Sequence, residues 1–191
     1  MEKQQTKLGV LSGIIQATNP VFIILSVGVP VGALIYAMNS ELFTSLNYVH
    51  IMAGSLWTGI DLFLGFLLGP VLGRLDPRER AAVFMRLMPR MTFLMPVLAG
   101  VTITSAIELT TRMDLPLSNP WVIAALVVTG ILGIQGFGVL LPNEVRIFRQ
   151  LLSDKPDTDK IARLGMQNAR LGGVQGVFQL AIIFIMASIR F

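Results

Sequence analysis

Three side chains that a lipid-facing helix avoids occur within twelve residues of an apolar stretch, "HIMAGSLWTGIDLFLGF": His50, Trp57 and Asp61. His50 is the single histidine of the chain. At about 100° per residue, seven steps fall about 20° short of two turns and eleven steps run about 20° past three. The three therefore share one helix face, with Gly54, Thr58 and Gly65 on or beside it. An imidazole ligates a metal or carries a proton. A carboxylate deep in a membrane handles protons, binds a cation or pairs with a cofactor group, and such groups turn inward because hydrocarbon penalises them by several kcal/mol. The glycines let a neighbouring backbone, or a flat ligand, come close. A second candidate pair is Glu108 and Arg112, four residues apart and able to bond on one face. They are expected at a depth similar to that of His50, and a plain interfacial ion pair is the simpler expectation for them. The simpler alternatives for the first group are a histidine wetted by headgroups, a tryptophan used in packing, and an aspartate that caps a neighbouring backbone or a water.

These residues need a scaffold, and the composition says which kind. Of 191 residues, 53% are hydrophobic and only 14% charged, against about 25% charged in soluble domains. An all-α, polytopic membrane bundle forming one domain is expected. With no cysteine, disulfides, zinc–thiolate sites, iron–sulfur clusters and CxxCH haem attachment are excluded. Five stretches are long enough to cross about 30 Å of hydrocarbon, at roughly 20–38, 48–73, 91–111, 121–141 and 173–189, with a kink expected at Pro30. "MEKQQTKLGVLSGIIQATNP" reads as an amphipathic lead-in on the membrane surface rather than a secretory signal. Segment 142–170 reads as a cytoplasmic amphipathic loop that extends spans four and five around the turn "SDKPDTDK" and rests on anionic headgroups, the alternative being a docking site for a soluble partner. Of the 15 lysines and arginines, only Arg112 and Arg190 fall on one side of the five spans. That asymmetry predicts an N-terminus inside and a C-terminus outside, and it accounts for the net positive charge without nucleic acid. The later spans carry "TGILGIQGFGVL" and "GGVQGVFQLA", whose small residues permit close helix contacts and whose Gln135, Gln175 and Gln179 bond across them or line a pocket.

"HIMAGSLWTG" resembles the opening of the cofactor-bearing helix in the copper-resistance D superfamily. Membrane-embedded protoporphyrinogen oxidases of the bacterial type and the membrane domain of cytochrome-linked urate oxidases look similar. The next stretch, "GPVLGRLDPRERAAVFMRLMPRMTFLMPVLAGVTITSA", resembles the continuation of that pattern, so the resemblance covers about residues 48–110. It implies a b-type haem with His50 as an axial ligand to iron, Gly54, Trp57 and Gly59 around the porphyrin, and Arg112 beside the propionates. The sequence departs from the pattern in offering one histidine. A second ligand would come from a methionine (Met52, Met95 or Met113, of which Met95 lies inside a span) or from His50 of a symmetric partner in a homodimer. A five-coordinate haem would keep an open face. The lack of lysine within the spans argues against protoporphyrinogen oxidase chemistry.

Three functions follow as expectations. One is a haem protein of the plasma membrane for electron transfer or redox and gas sensing. Another is a transporter or channel for protons, metal ions such as copper, or a small solute, with Asp61 at its centre. The last is a noncatalytic subunit of a respiratory complex. No nucleophile–base pair or phosphate loop points to an enzyme.

Overall fold

The computed structural model describes residues 19–189, so the N-terminal lead-in lies outside the described residues. Among these, five helices are long and apolar enough to span a membrane: α1 Pro20–Asn39, α2 Phe43–Gly73, α3 Pro77–Arg112, α4 Pro120–Leu151 and α5 Thr158–Ile189. The protein is a multi-pass helical membrane protein. Its outer surface fits that environment: Ile24, Ile134, Phe137 and Phe184 are each about two-thirds exposed or more, an arrangement water would not tolerate over whole helices.

Three helices start with the same device. Asn19, Asp76 and Asn119 each precede a proline, and each side chain accepts a backbone N–H of the first turn, from Val21, from Arg78 and Glu79, and from Trp121. The cap satisfies donors the helix leaves orphaned, and proline at the first position gives up an N–H that had no partner. Three helices also widen into π turns, at Ile24–Gly28, Phe63–Leu68 and Gly136–Leu140. Pro30, Pro70 and Pro142 each follow two residues after such a turn ends. Proline removes one ladder bond and crowds the preceding turn, and the wider turn accommodates it: the N–H groups of Gly69 and Leu141 reach back five residues, to Leu64 and Gly136. The disturbance expected at Pro30 is therefore one of three.

Helices α2 to α5 run well past the expected spans. At about 1.5 Å per residue, the 36 residues of α3 exceed a bilayer's hydrocarbon thickness of about 30 Å. The basic stretch 74–90, expected as a connection, is largely the first half of α3. Segment 142–170 is the end of α4, a turn, and the start of α5. Its apolar residues divide: Leu152 is exposed, and Val145 and Leu151 are half-buried. Ile147, Phe148, Ile161, Leu164 and Met166 are buried in the protein, most of them in a cluster with Leu72, Phe84 and Met88. We call this the basic end of the bundle.

The helices meet antiparallel. His50 faces Met186, and Asp61 faces Gln179. Where α2 and α5 cross, Gly65 and Gly173 bring backbone against backbone: a Cβ on Gly65 would clash with Gly173 Cα, and one on Gly173 would lie 2.8 Å from Gly65 Cα.

Candidate functional site

The polar face of α2 looks into the bundle. Asp61 is 2% exposed and Trp57 is buried; His50 is half-buried. Beyond this the residues part company, because an eleven-residue separation is about 16 Å of helix rise.

Asp61 and Trp57 border a cavity of about 90 Å³ among α2, α3, α4 and α5, which also takes in Glu144, Asn168 and Gln175. That volume suits a few waters. Glu144 from α4 is buried and close enough to Asp61 for the two carboxylates to interact electrostatically. Thr92 Oγ1 stands 3.0 Å from Glu144 Oε2, and Gln179 Nε2 donates to Asp61 Oδ2 at 3.1 Å. Neither acid has an ion pair among the described residues. Two amide oxygens in this neighbourhood, Gln175 Oε1 and Gln179 Oε1, are buried without any hydrogen-bond partner. Buried polar atoms are nearly always bonded, so the two carboxylates and the two amide oxygens gather hydrogen-bond acceptors in one part of the bundle.

A polar path leads from this cavity toward the basic end. Asn168 Nδ2 donates to the Leu140 carbonyl, Asn143 Nδ2 donates to Asn168 Oδ1 and Gln167 Oε1, and Arg146 donates to Asn143 Oδ1. Gln167 and Arg146 are exposed. In the opposite direction Ala53, Trp57, Leu98, Val101 and Leu132 pack together, and the cavity lining runs on beside them along α3 to Ala99 and Ile103.

Glu144 reaches this cavity because of a π turn. On α4 the lining residues Leu132, Gly136, Leu140 and Glu144 recur every four. Each step overshoots an α turn by about 40°, so three would carry Glu144 about 120° away. The turn at Gly136–Leu140, with more residues per turn, takes up that drift. A regular α-helix drawn through this sequence turns Glu144 away from the cavity for this reason. Its one available signal was an acid two residues beyond a proline at the end of a span.

A haem ligated by His50 would need a free ring nitrogen facing an open slot. The imidazole Nδ1 lies 3.0 Å from the Thr102 carbonyl oxygen and 3.1 Å from Ser105 Oγ, while Nε2 lies 3.3 Å from Met186 Sδ. Met186 thus sits on the ligating side of the ring. With metal–nitrogen and metal–sulfur bonds of about 2.0 and 2.3 Å, opposed axial ligands would stand about 4.3 Å apart. Gly54 makes close approach to α3 rather than a slot, since a Cβ there would meet Thr102 Cγ2 at 3.3 Å. Gly59 is exposed, with nothing within 4 Å of its Cβ position. Met95 lines the deep cavity, about 10 Å of helix rise from Thr102. As placed, Nε2 and Sδ stand too close for opposed ligation of an iron within one chain, and a haem shared between copies would require His50 to turn from Met186. We expect purified protein from haem-replete cells to show no Soret band, and a band abolished by His50→Ala would reverse this assignment.

Arg112 is spent on structure. It bonds Glu108 Oε1 through Nε at 2.9 Å and the carbonyls of Ser40 and Met38 at 2.8 and 2.7 Å. It ties the α1–α2 connection to α3. Arg112→Ala is expected to cost about 1–3 kcal/mol, the worth of charge-assisted bonds to carbonyls, read as a lower melting temperature in detergent. An unchanged melting temperature would refute the tether.

No family model, curated protein or solved structure matches this chain.

Proposed function

We propose that this membrane protein moves protons, or a small hard cation, through the bundle, with Asp61 as the intramembrane binding group and Glu144 as the relay between Asp61 and the basic end. The observation that carries the reading is the pair of buried, unpartnered oxygens of Gln175 and Gln179 beside an unpaired buried carboxylate. Ionisable groups at membrane depth are costly and are kept where they serve a pathway. A proton on the carboxyl, or a partly hydrated cation among these oxygens, supplies the missing donor or charge. Oxygen donors favour hard cations over soft ones.

The path has a direction. Arg146, Asn143, Asn168 and Glu144 give polar access from the basic end, whereas the lining toward Ala99 and Ile103 is apolar and offers an ion no ligands. The excess of lysine and arginine puts the basic end in the cytoplasm, so Asp61 loads from that side and motion of the apolar layer admits release.

Reconstitution in liposomes with an internal pH dye tests this. A potassium diffusion potential is expected to drive acidification above that of empty vesicles, and a sodium gradient in the same preparation separates proton from sodium flux. Vesicles that hold both gradients as well as protein-free controls would refute the proposal.

A further inference from the structure

The transport path leaves unused a second concavity, at the basic end. A cavity of about 510 Å³ lies between the first turn of α3 and the first half of α5. Its charged lining is Arg80, Arg163 and Arg170 against one acid, Asp159. Arg163 and Arg170 are seven residues apart, so they return to within about 20° of one helix face, with Gln167 between them on the same side. Both are exposed. Among the described residues neither side chain makes a hydrogen bond or ion pair, even with Asp159 one turn before Arg163. Gln167 spends its oxygen on Asn143 Nδ2 at 3.2 Å, which leaves its amide hydrogens to give. Arg80 anchors the wall: through Nε and Nη2 it donates to the carbonyls of Leu72, Gly73 and Leu75 at the end of α2. The groove thus gathers more donors and positive charge than its own acceptors use. Water serves the exposed donors in the free protein; an anion replaces that water with charge-assisted bonds, about twice as strong as neutral ones.

We propose that this groove binds one anionic glycerophospholipid from the leaflet at the basic end, its phosphate held between Arg163 and Arg170. The two Cα atoms are about 10 Å apart along the helix, a gap that two long side chains close around a phosphate, and the guanidinium fork matches a pair of phosphate oxygens. Position along α5 favours a lipid over a free anion. Arg170 is the last charged residue of that helix. One and two turns further on, Val174 and Val177 lie on the same face and are about half exposed, so an apolar strip for an acyl chain begins where the arginines end. The groove floor, Ala162 and Met166, is apolar as well, a surface on which arginine stems lie while their heads stay at headgroup level. Charge favours an anionic headgroup over a zwitterionic one, whose cation would find only Asp159 among the lining residues. A basic surface attracts anionic lipid loosely wherever it lies. Two unpaired arginines framing a concavity within the range of about 300–1,000 Å³ usual for ligand sites make a discrete site instead, and it stands whether or not protons cross the bundle.

The test is native mass spectrometry of the full chain in detergent, titrated with phosphatidylglycerol or with phosphatidylcholine of the same acyl chains. One phosphatidylglycerol should stay bound at concentrations where phosphatidylcholine does not. The double variant Arg163→Gln/Arg170→Gln should weaken that adduct at least tenfold. Arg78→Gln/Arg149→Gln removes the same charge from two exposed arginines outside the groove and should leave the adduct unchanged. Equal losses in the two doubles would reduce the effect to general surface attraction and overturn the site. Equal retention of the two lipids by the wild type, or wild-type retention in Arg163→Gln/Arg170→Gln, would overturn it too. Millimolar inorganic phosphate at constant ionic strength should not displace the lipid; displacement would make the groove a site for a free anion. The lipid-free double variant should melt with the wild type, since both arginines are exposed and unbonded among the described residues, and a lower melting temperature would make them structural instead.

Discussion

Asp61→Asn is expected to reduce proton or cation flux in liposomes at least tenfold while raising the melting temperature in detergent. The two effects have one cause. The substitution keeps the size of the side chain and an oxygen able to accept from Gln179 Nε2, which now meets Asp61 Oδ2 at 3.1 Å. It removes the group that can hold a proton or neutralise a cation. A tenfold loss corresponds to about 1.4 kcal/mol on the barrier, small beside the several kcal/mol that separate an ionised from a neutral group in hydrocarbon. That same penalty burdens the folded wild-type protein, because Asp61 is 2% exposed and unpaired among the described residues. A neutral amide relieves it, so stability should rise as function falls, the trade-off expected of a group kept for activity. This opposition separates the proposal from simple damage, which would lower both. Glu108→Gln provides the contrast. Glu108 bonds Arg112 near the end of α3 and does not border the cavity, so its flux should match wild type. Wild-type flux in Asp61→Asn would remove the central residue from the pathway.

The largest structural effect is expected at the crossing of α2 and α5. An added methyl in Gly65→Ala would clash with Gly173 Cα and lie 2.6 Å from Gly173 N and 3.3 Å from the Ala169 carbonyl. Those are backbone atoms and cannot rotate away, so the helices must part. Overpacking of this kind costs about 1–3 kcal/mol and sometimes more. At about 2–4 °C per kcal/mol for a chain of this size, 3 kcal/mol is a fall of about 6–12 °C in melting temperature. Function should suffer too, since the crossing holds Asp61 against Gln179 one turn away. Gly59→Ala is the matched control. That Cβ meets nothing within 4 Å, and alanine is worth about 0.5–1 kcal/mol over glycine inside a helix. It should be neutral or slightly stabilising. If Gly59→Ala proves as harmful as Gly65→Ala, then Gly59 touches something outside this chain's own bundle, such as a flat ligand or a second copy.

Much of the architecture was legible in the chain itself. Charge scarcity and apolar length dictated five spanning helices, since only a helix satisfies its own backbone in hydrocarbon. The step from His50 to Asp61 put two expensive side chains on one face, and expense alone required that face to turn inward. What the sequence could not supply was partnership. His50 and Asp61 share a face, but depth gives them different neighbours, Thr102, Ser105 and Met186 for one and Gln179 for the other. Met186 lies 136 residues from His50 in the chain, and a methionine in a membrane helix carries no mark of the neighbour it will meet. Glu144 stood in a stretch whose amphipathic pattern suits a headgroup surface as well as a protein core. Only the neighbouring helices decided between them, and only the widened turn before Pro142 aimed the carboxyl inward. Periodicity records which side of a helix avoids lipid; it holds no information about which other helix waits on that side, because that depends on contacts between residues far apart in the chain.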